Sequence, residues 1–343
     1  MRPNVLSLGA RQIGAGSPCF ILAGVAAAHG GSSETALRML DAAFKMGADG
    51  IAFQVFRVDL LAVRRHPERK ALERLEVSAR DWRRVLAAAK ASGLSVVVEA
   101  FDPPSLDLAA ECGVDALQVH TTDMENPDLI RAAGSLGRPV LLATGGVPSD
   151  AVTEAMDLVG GAPVGLLHGL ETFPTAVEEI RFRDLGDWKE RYRVPVGFLD
   201  HTDGGSAFAL VAPALAAAHG ADLVEKHFTL DRREKGFDYQ SSLSPEDFYR
   251  MVELLRQAER ASGDGLPAAT EGSVRYHRAV ARSIVAGGLI PRGEVLTAVM
   301  LAFKRADPRF DPGFSPREAH RVIGRRAARP IQADETIRED MLD

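Results

Sequence analysis

Eight short β-branched or apolar runs recur along this chain, each followed by a polar turn and a segment of helical period, and no other feature constrains the fold as tightly. The runs are CFILAG (19–24), GIAFQV (50–55), SVVVEA (95–100), ALQVHT (116–121), PVLLAT (139–144), VGLLHG (164–169), VPVGFL (194–199) and LVEKHF (223–228). Parallel strands with crossover helices are the expected product, and eight is the number that closes a (β/α)8 barrel. A repeated signature supports the alternation: GADGIAFQ begins at 47, GVDALQVH at 113 and GADLVEKH at 220. In each, the glycine is expected to take the left-handed conformation that ends a helix. A doubly wound open sheet is disfavoured, because AGVAAAHGG after the first run is not the G-x-G-x-x-G turn such a sheet normally carries.

With 343 residues the chain exceeds most single cores. The barrel is expected over 1–261, closing on an amphipathic helix at 244–261 with Ser244 as N-cap and Pro245 in its first turn. A linker is expected at 262–273, then a small β-rich module at 274–343. That module contains a weak duplication, IPRGEVLTAVML (290–301) against IQADETIREDML (331–342), which points to two related β-turn units. A net charge of −6, from 41 basic and 47 acidic residues, shows no basic stripe and argues against nucleic acid. No apolar run is long enough to span a bilayer, and the two cysteines, Cys19 and Cys112, lack ligand spacing and read as buried free thiols in a reducing compartment. A cytoplasmic protein is the expectation.

In a barrel, chemistry sits at the C-terminal ends of the strands. Five of the nine histidines fall there: His29, His120, His168, His201 and His227. His201 and His227 come from adjacent strands, so their imidazoles can share a divalent metal. Asp200, Asp203 and Glu225 offer nearby carboxylates, and a hydrogen-bonded histidine pair is the structural alternative.

These strand ends resemble the sialic acid synthase family. The matching stretches include GAD…FQ (47–54), FD (101–102), LLH…PT (166–175), DHT (200–202), EKHFTLDR (225–232) and KG.D (235–238), and ARSIVA…KR (281–305) is similar to that family's antifreeze-protein-like (SAF) domain. The resemblance implies a TIM barrel with an appended SAF module. It also implies condensation of phosphoenolpyruvate with an N-acylated sugar, aided by a divalent metal (Mn, Mg or Co). By the same resemblance His201 and His227 are metal ligands, Gln54, Asp123 and Asp238 contact the sugar, and Arg305 reaches the partner's sugar in a domain-swapped homodimer. The phosphoenolpyruvate half does not match. Gly24 replaces a glutamate, Ala28 an asparagine, Ala52 and Gln118 two lysines, Leu199 a serine and Glu99 a threonine, while HGLE places Glu171 in the pocket. Each lost charge-assisted phosphate contact is worth about 1.5–3 kcal/mol. Two catalytic readings follow: condensation with an enolpyruvyl donor, or a metal-dependent lyase or isomerase on another substrate. In the second, Glu99, His120, His168 and Glu171 are the acid/base candidates. A non-catalytic family member is the third reading.

Overall fold

In the computed structural model, which describes residues 4–14, 16–263, 269–307 and 313–343, eight parallel strands close into a barrel. They are β3 (Phe20–Gly24), β4 (Gly50–Val55), β5 (Ser95–Ala100), β6 (Ala116–Val119), β7 (Val140–Ala143), β8 (Val164–His168), β9 (Val196–Asp200) and β10 (Leu223–His227). The strands pair in chain order and β10 returns to β3. All eight runs read from the sequence are strands: β4 and β5 at full length, β9 beginning two residues later and ending one later, and the other five shorter by one or two residues.

Side chains alternate across each strand. Phe20, Leu22, Ala52, Val97, Ala116, Leu141, Leu167, Leu199 and Leu223 fill the barrel. Their neighbours, such as Ile21, Phe53, Val98 and Leu166, pack outward under the helices. An antiparallel hairpin that the sequence reading did not anticipate, β1 (Val5–Leu8) and β2 (Arg11–Gly14), precedes the barrel. Its Leu6, Leu8 and Ile13 join the interior cluster. A Cβ on Gly165 would come within 2.7 Å of Leu6 Cδ1, so the glycine makes room for this plug. Four-residue strands carry too few alternations to stand out from a loop.

The repeated signature has one structural meaning at all three sites. Gly47, Gly113 and Gly220 have φ of +80°, +68° and +93°, the left-handed values expected of them. The aspartate two residues on accepts a backbone N–H from the preceding strand: Asp49 from Ile21 at 2.9 Å, Asp115 from Val96 at 2.8 Å and Asp222 from Val196 at 2.9 Å. Each carboxylate also pairs with a cation, Arg256, Lys90 and Lys189 respectively.

The helix Pro245–Ser262 starts as expected, the Ser244 hydroxyl accepting the Asp247 N–H at 3.2 Å. The expected linker is shorter than its 262–273 range. Ser262 still belongs to that helix, and a further helix, Glu271–Val280, begins where the Thr270 hydroxyl accepts the Ser273 N–H. Residues 264–268 lie outside the described residues. Of the two cysteines, Cys19 is buried and Cys112 only half-buried, and both are free. No described helix is long and apolar enough to cross a membrane.

The chain divides into two units, 1–263 and 264–343. In the second, β11 (Arg282–Ala286) pairs antiparallel with β12 (Leu301–Arg305). The duplication is visible as a pseudo-twofold contact, Ile290 and Ile331 exchanging two backbone hydrogen bonds of 2.9 Å. Leu296 and Ile337, equivalent in the two repeats, are both fully buried in this unit's core.

Candidate active site

The inward register that fills the barrel with aliphatic side chains changes character at the C-terminal strand ends. On β4, β5, β6 and β10 the last inward positions are Gln54, Glu99, Gln118, Glu225 and His227. With His120, Glu171, His201 and Asp238 from the loops, they line a cavity of about 370 Å³.

His201 and His227 lie with ring centroids 4.9 Å apart at an interplanar angle of 73°. Burial, reinforced for His201 by its neighbour His227 and for His227 by Lys226, lowers both to about 4, so both rings are neutral near pH 7. His201 Nδ1 lies 2.9 Å from the Leu170 carbonyl, and donating there leaves the Nε2 lone pair bare. His227 Nδ1 is buried without a hydrogen-bond partner. Among the described residues no group of three His, Cys, Asp or Glu side chains is arranged to hold a metal. The Phe173 ring sits 4.5 Å from His201. On the opposite side, Gly24 has no side chain to displace His227: a Cβ there would lie 2.7 Å from His227 Cδ2 and 3.0 Å from Glu225 Oε1.

Behind the histidines Lys226 and Asp200 point away from the cavity. The fully buried Lys226 ammonium lies 3.2 Å from Asp200 and donates to the Thr202 carbonyl and hydroxyl, tying the end of β10 to the loop that carries His201. Asp200 is therefore committed to Lys226, and Asp203 lies at the surface near Arg232, 3.8 Å away. Of the three carboxylates that the sequence sets near the histidine pair, only Glu225 faces the cavity.

The other wall is a polar network. Gln54 Nε2 donates to Glu99 at 2.8 Å, and Gln118 Nε2 reaches Glu225 at 3.0 Å and Glu99 at 3.4 Å. His120 Nε2 contacts Glu171 at 2.5 Å. Burial pushes Glu99 above the ordinary carboxylate range and Glu225 up to about 8, the latter reinforced by the charge of Glu99. For His120, burial alone acts downward, but the charge of Glu99 and the bond to Glu171 outweigh it and raise it to about 9. Two nearby carboxylates keep the ring charged at neutral pH, and the Nδ1–H of the charged ring donates to the Thr122 hydroxyl at 2.9 Å. For Glu171 burial acts upward, and the bond to His120 overrides it, holding the carboxyl below its ordinary value.

Not every sequence candidate reaches the cavity. His168 follows inward-facing Leu167 on β8, so alternation turns it outward, where it stacks on Trp188 at 5.3 Å and lies 3.9 Å from Asp184. His29 is buried edge-on against Trp82 at 5.5 Å, away from the mouth. Three of the five rim histidines therefore converge. Asp123 accepts a hydrogen bond from Asn126 at 3.0 Å and does not line the cavity. Arg305 is exposed at the end of β12, in the second unit. Phe173, Gln118 and Glu225 carry more of the lining than the sequence reading assigned them. The inward parity of β6 and β10 was the signal for the last two.

Comparison with known proteins agrees with this architecture. The model of the NeuB family matches residues 39–266, and that of the SAF domain matches 281–343. An uncharacterised protein of Methanocaldococcus jannaschii is 30% identical over 305 residues, covering 88% of each chain. The N,N'-diacetyllegionaminic acid synthase of Legionella pneumophila is 26% identical over 350 residues, covering 96% of each. Among solved structures, the N-acetylneuraminic acid synthetase of Leptospira borgpetersenii superposes with a TM-score of 0.72 at 26% identity, over 80% of this chain and 97% of that one. An eight-stranded barrel with paired histidines at its mouth, matched by the family model over most of its length and followed by a SAF domain, makes this chain a member of the NeuB family.

Proposed function

We propose that this protein is a metal-dependent enzyme of carbohydrate metabolism that moves a proton at a carbon beside a carbonyl, on a sugar carrying no phosphate. The lining of the cavity carries this reading: Glu68, Glu99, Glu171, Glu225 and Asp238 face it, and among the described residues no lysine or arginine does. A phosphate trianion brought among those groups meets like charge, and the one charged imidazole in the described lining, His120, is already paired with Glu171.

His201 and His227 suit a divalent ion such as Mn, Mg or Co, since both are neutral and His201 is already oriented by the Leu170 carbonyl. Such an ion, when bound, supplies Lewis-acid polarisation of a carbonyl oxygen. The chain's own groups do the rest. Gln54 and Asp238 hold sugar hydroxyls, and the ionised form of Glu99, made a stronger base than an ordinary carboxylate by burial, accepts the carbon-bound proton. His120, charged and fixed by Glu171, stabilises the developing oxygen anion through its positive charge.

Incubation of the metal-loaded protein with a panel of aldoses and ketoses in deuterated water is expected to exchange the proton beside the carbonyl, with loss of exchange in Glu99→Gln and His120→Gln. Calorimetry with phosphoenolpyruvate and manganese is expected to show no binding. Binding with release of phosphate would instead establish condensation of an enolpyruvyl donor with an N-acylated sugar. That second reading is favoured by synthase relatives aligned over nearly the whole chain, such as the Legionella enzyme. It draws positive charge from the metal and from Arg305 of a second copy in a domain-swapped homodimer. Freshly purified protein without a stoichiometric divalent ion, unchanged in stability on chelation, would mark a non-catalytic scaffold.

A further inference from the structure

We propose that the sugar bound in this cavity carries a free, protonated amine, seated on Glu99, Gln118 and Glu225; this rests on the cavity being a sugar site. Most of the floor's hydrogen-bond donors are already turned to carboxylates: Gln118 to Glu225 at 3.0 Å and Glu99 at 3.4 Å, and one N–H of Gln54 to Glu99 at 2.8 Å. Gln118 is 2% exposed, and its Oε1 is buried with no hydrogen-bond partner. With its N–H groups turned to Glu225 and Glu99, that amide leaves Oε1 as its bare atom. What remains for a ligand is the bare Gln118 oxygen and the carboxyl oxygens of Glu99 and Glu225, and a cation seated there favours their ionised forms.

Hydroxyls and acylated amines fit this floor poorly. A hydroxyl brings one donor and no charge, and an acylamino group adds a carbonyl oxygen that must face carboxylates. An ammonium group brings three donors, no acceptor and a positive charge. A metal ion is the other cation that acids attract, but no three His, Cys, Asp or Glu side chains among the described residues are arranged to ligate one. The cavity's own cation, the His120 imidazolium, is held by Glu171.

The test compares a 2-amino-2-deoxyhexose, its N-acetyl derivative and the parent hexose by calorimetry on the full-length, manganese-loaded protein, slightly below neutral pH. The amine is expected to bind about tenfold more tightly than either neutral sugar. In Glu99→Gln, which keeps shape and removes charge, that preference is expected to shrink to within about twofold. The wild-type comparison stands by itself should the variant fold poorly. Equal or tighter binding of the N-acetyl sugar overturns the amine while leaving the sugar site in place. So does a second equivalent of manganese that expels the amine, which would give the acids to a metal. Failure of all three sugars to bind overturns both proposals.

Discussion

Gly24 and His227 illustrate how little space decides the chemistry at the barrel mouth. Because a Cβ at position 24 would lie 2.7 Å from His227, Gly24→Ala is predicted to displace the imidazole and weaken manganese binding about tenfold by calorimetry. His227→Ala is predicted to abolish metal binding with circular dichroism unchanged, because a side chain at the mouth adds little to the aliphatic interior; loss of soluble protein would mark the histidine as structural. The His120–Glu171 pair sets a pH dependence. The folded pKa of His120, about 9, lies above its ordinary 6.5, so this contribution is complete below pH 6.5 and is lost as pH rises through about 9. Glu171 is depressed, so its share is complete above the ordinary 4.5 and is lost as pH falls through the lower folded value. For His120 the difference corresponds to about 3 kcal/mol. Urea unfolding of wild type minus His120→Gln is expected to show an advantage that shrinks between those pH limits, and a constant difference would refute the assignment.

Strand ends and the small elements around them divide the work of holding this mouth open. The Lys226–Asp200 pair lies on the outward side of β10 and β9 with both groups fully buried. Lys226→Met strands the Asp200 charge and is predicted to cost about 3–5 kcal/mol, most of it recovered in the double variant Lys226→Met/Asp200→Leu. At the other end, the hairpin plug predicts that Leu6→Ala, at a site 1% exposed, destabilises the barrel by about 2–5 kcal/mol in urea titration. The three G-x-D turns were legible in the sequence because one local geometry, a left-handed glycine followed by an aspartate on the neighbouring strand, recurs with the same residues. The hairpin was not legible, since its burial comes from a barrel interior formed by residues far along the chain.

The two units raise a question of assembly that belongs to the complete molecule. His227 lies in the barrel unit and Arg305 in the SAF unit, and the proposed swapped homodimer builds each site from both copies. Mixing and reassociating His227→Ala with Arg305→Ala is then predicted to restore tight sugar binding at about a quarter of the sites, the fraction expected from random pairing in which one composite site per mixed dimer is intact. No tight sites after mixing would place each site within one chain. Light scattering is expected to give the mass of a dimer.

Alternation and recurrence determined the barrel, the C-terminal helix with its Ser244 cap, the duplicated module and the two histidines on neighbouring strands, because each is written in local spacing. Which polar side chains share a cavity was decided only by closure of the sheet. His168 and His227 both end barrel strands, yet inward parity brings one to the mouth and sends the other to Trp188. The same closure gathers Glu99, Gln118 and Glu225 across three strands into one acidic floor, since distances between strands depend on the curvature of the whole barrel and on no segment alone.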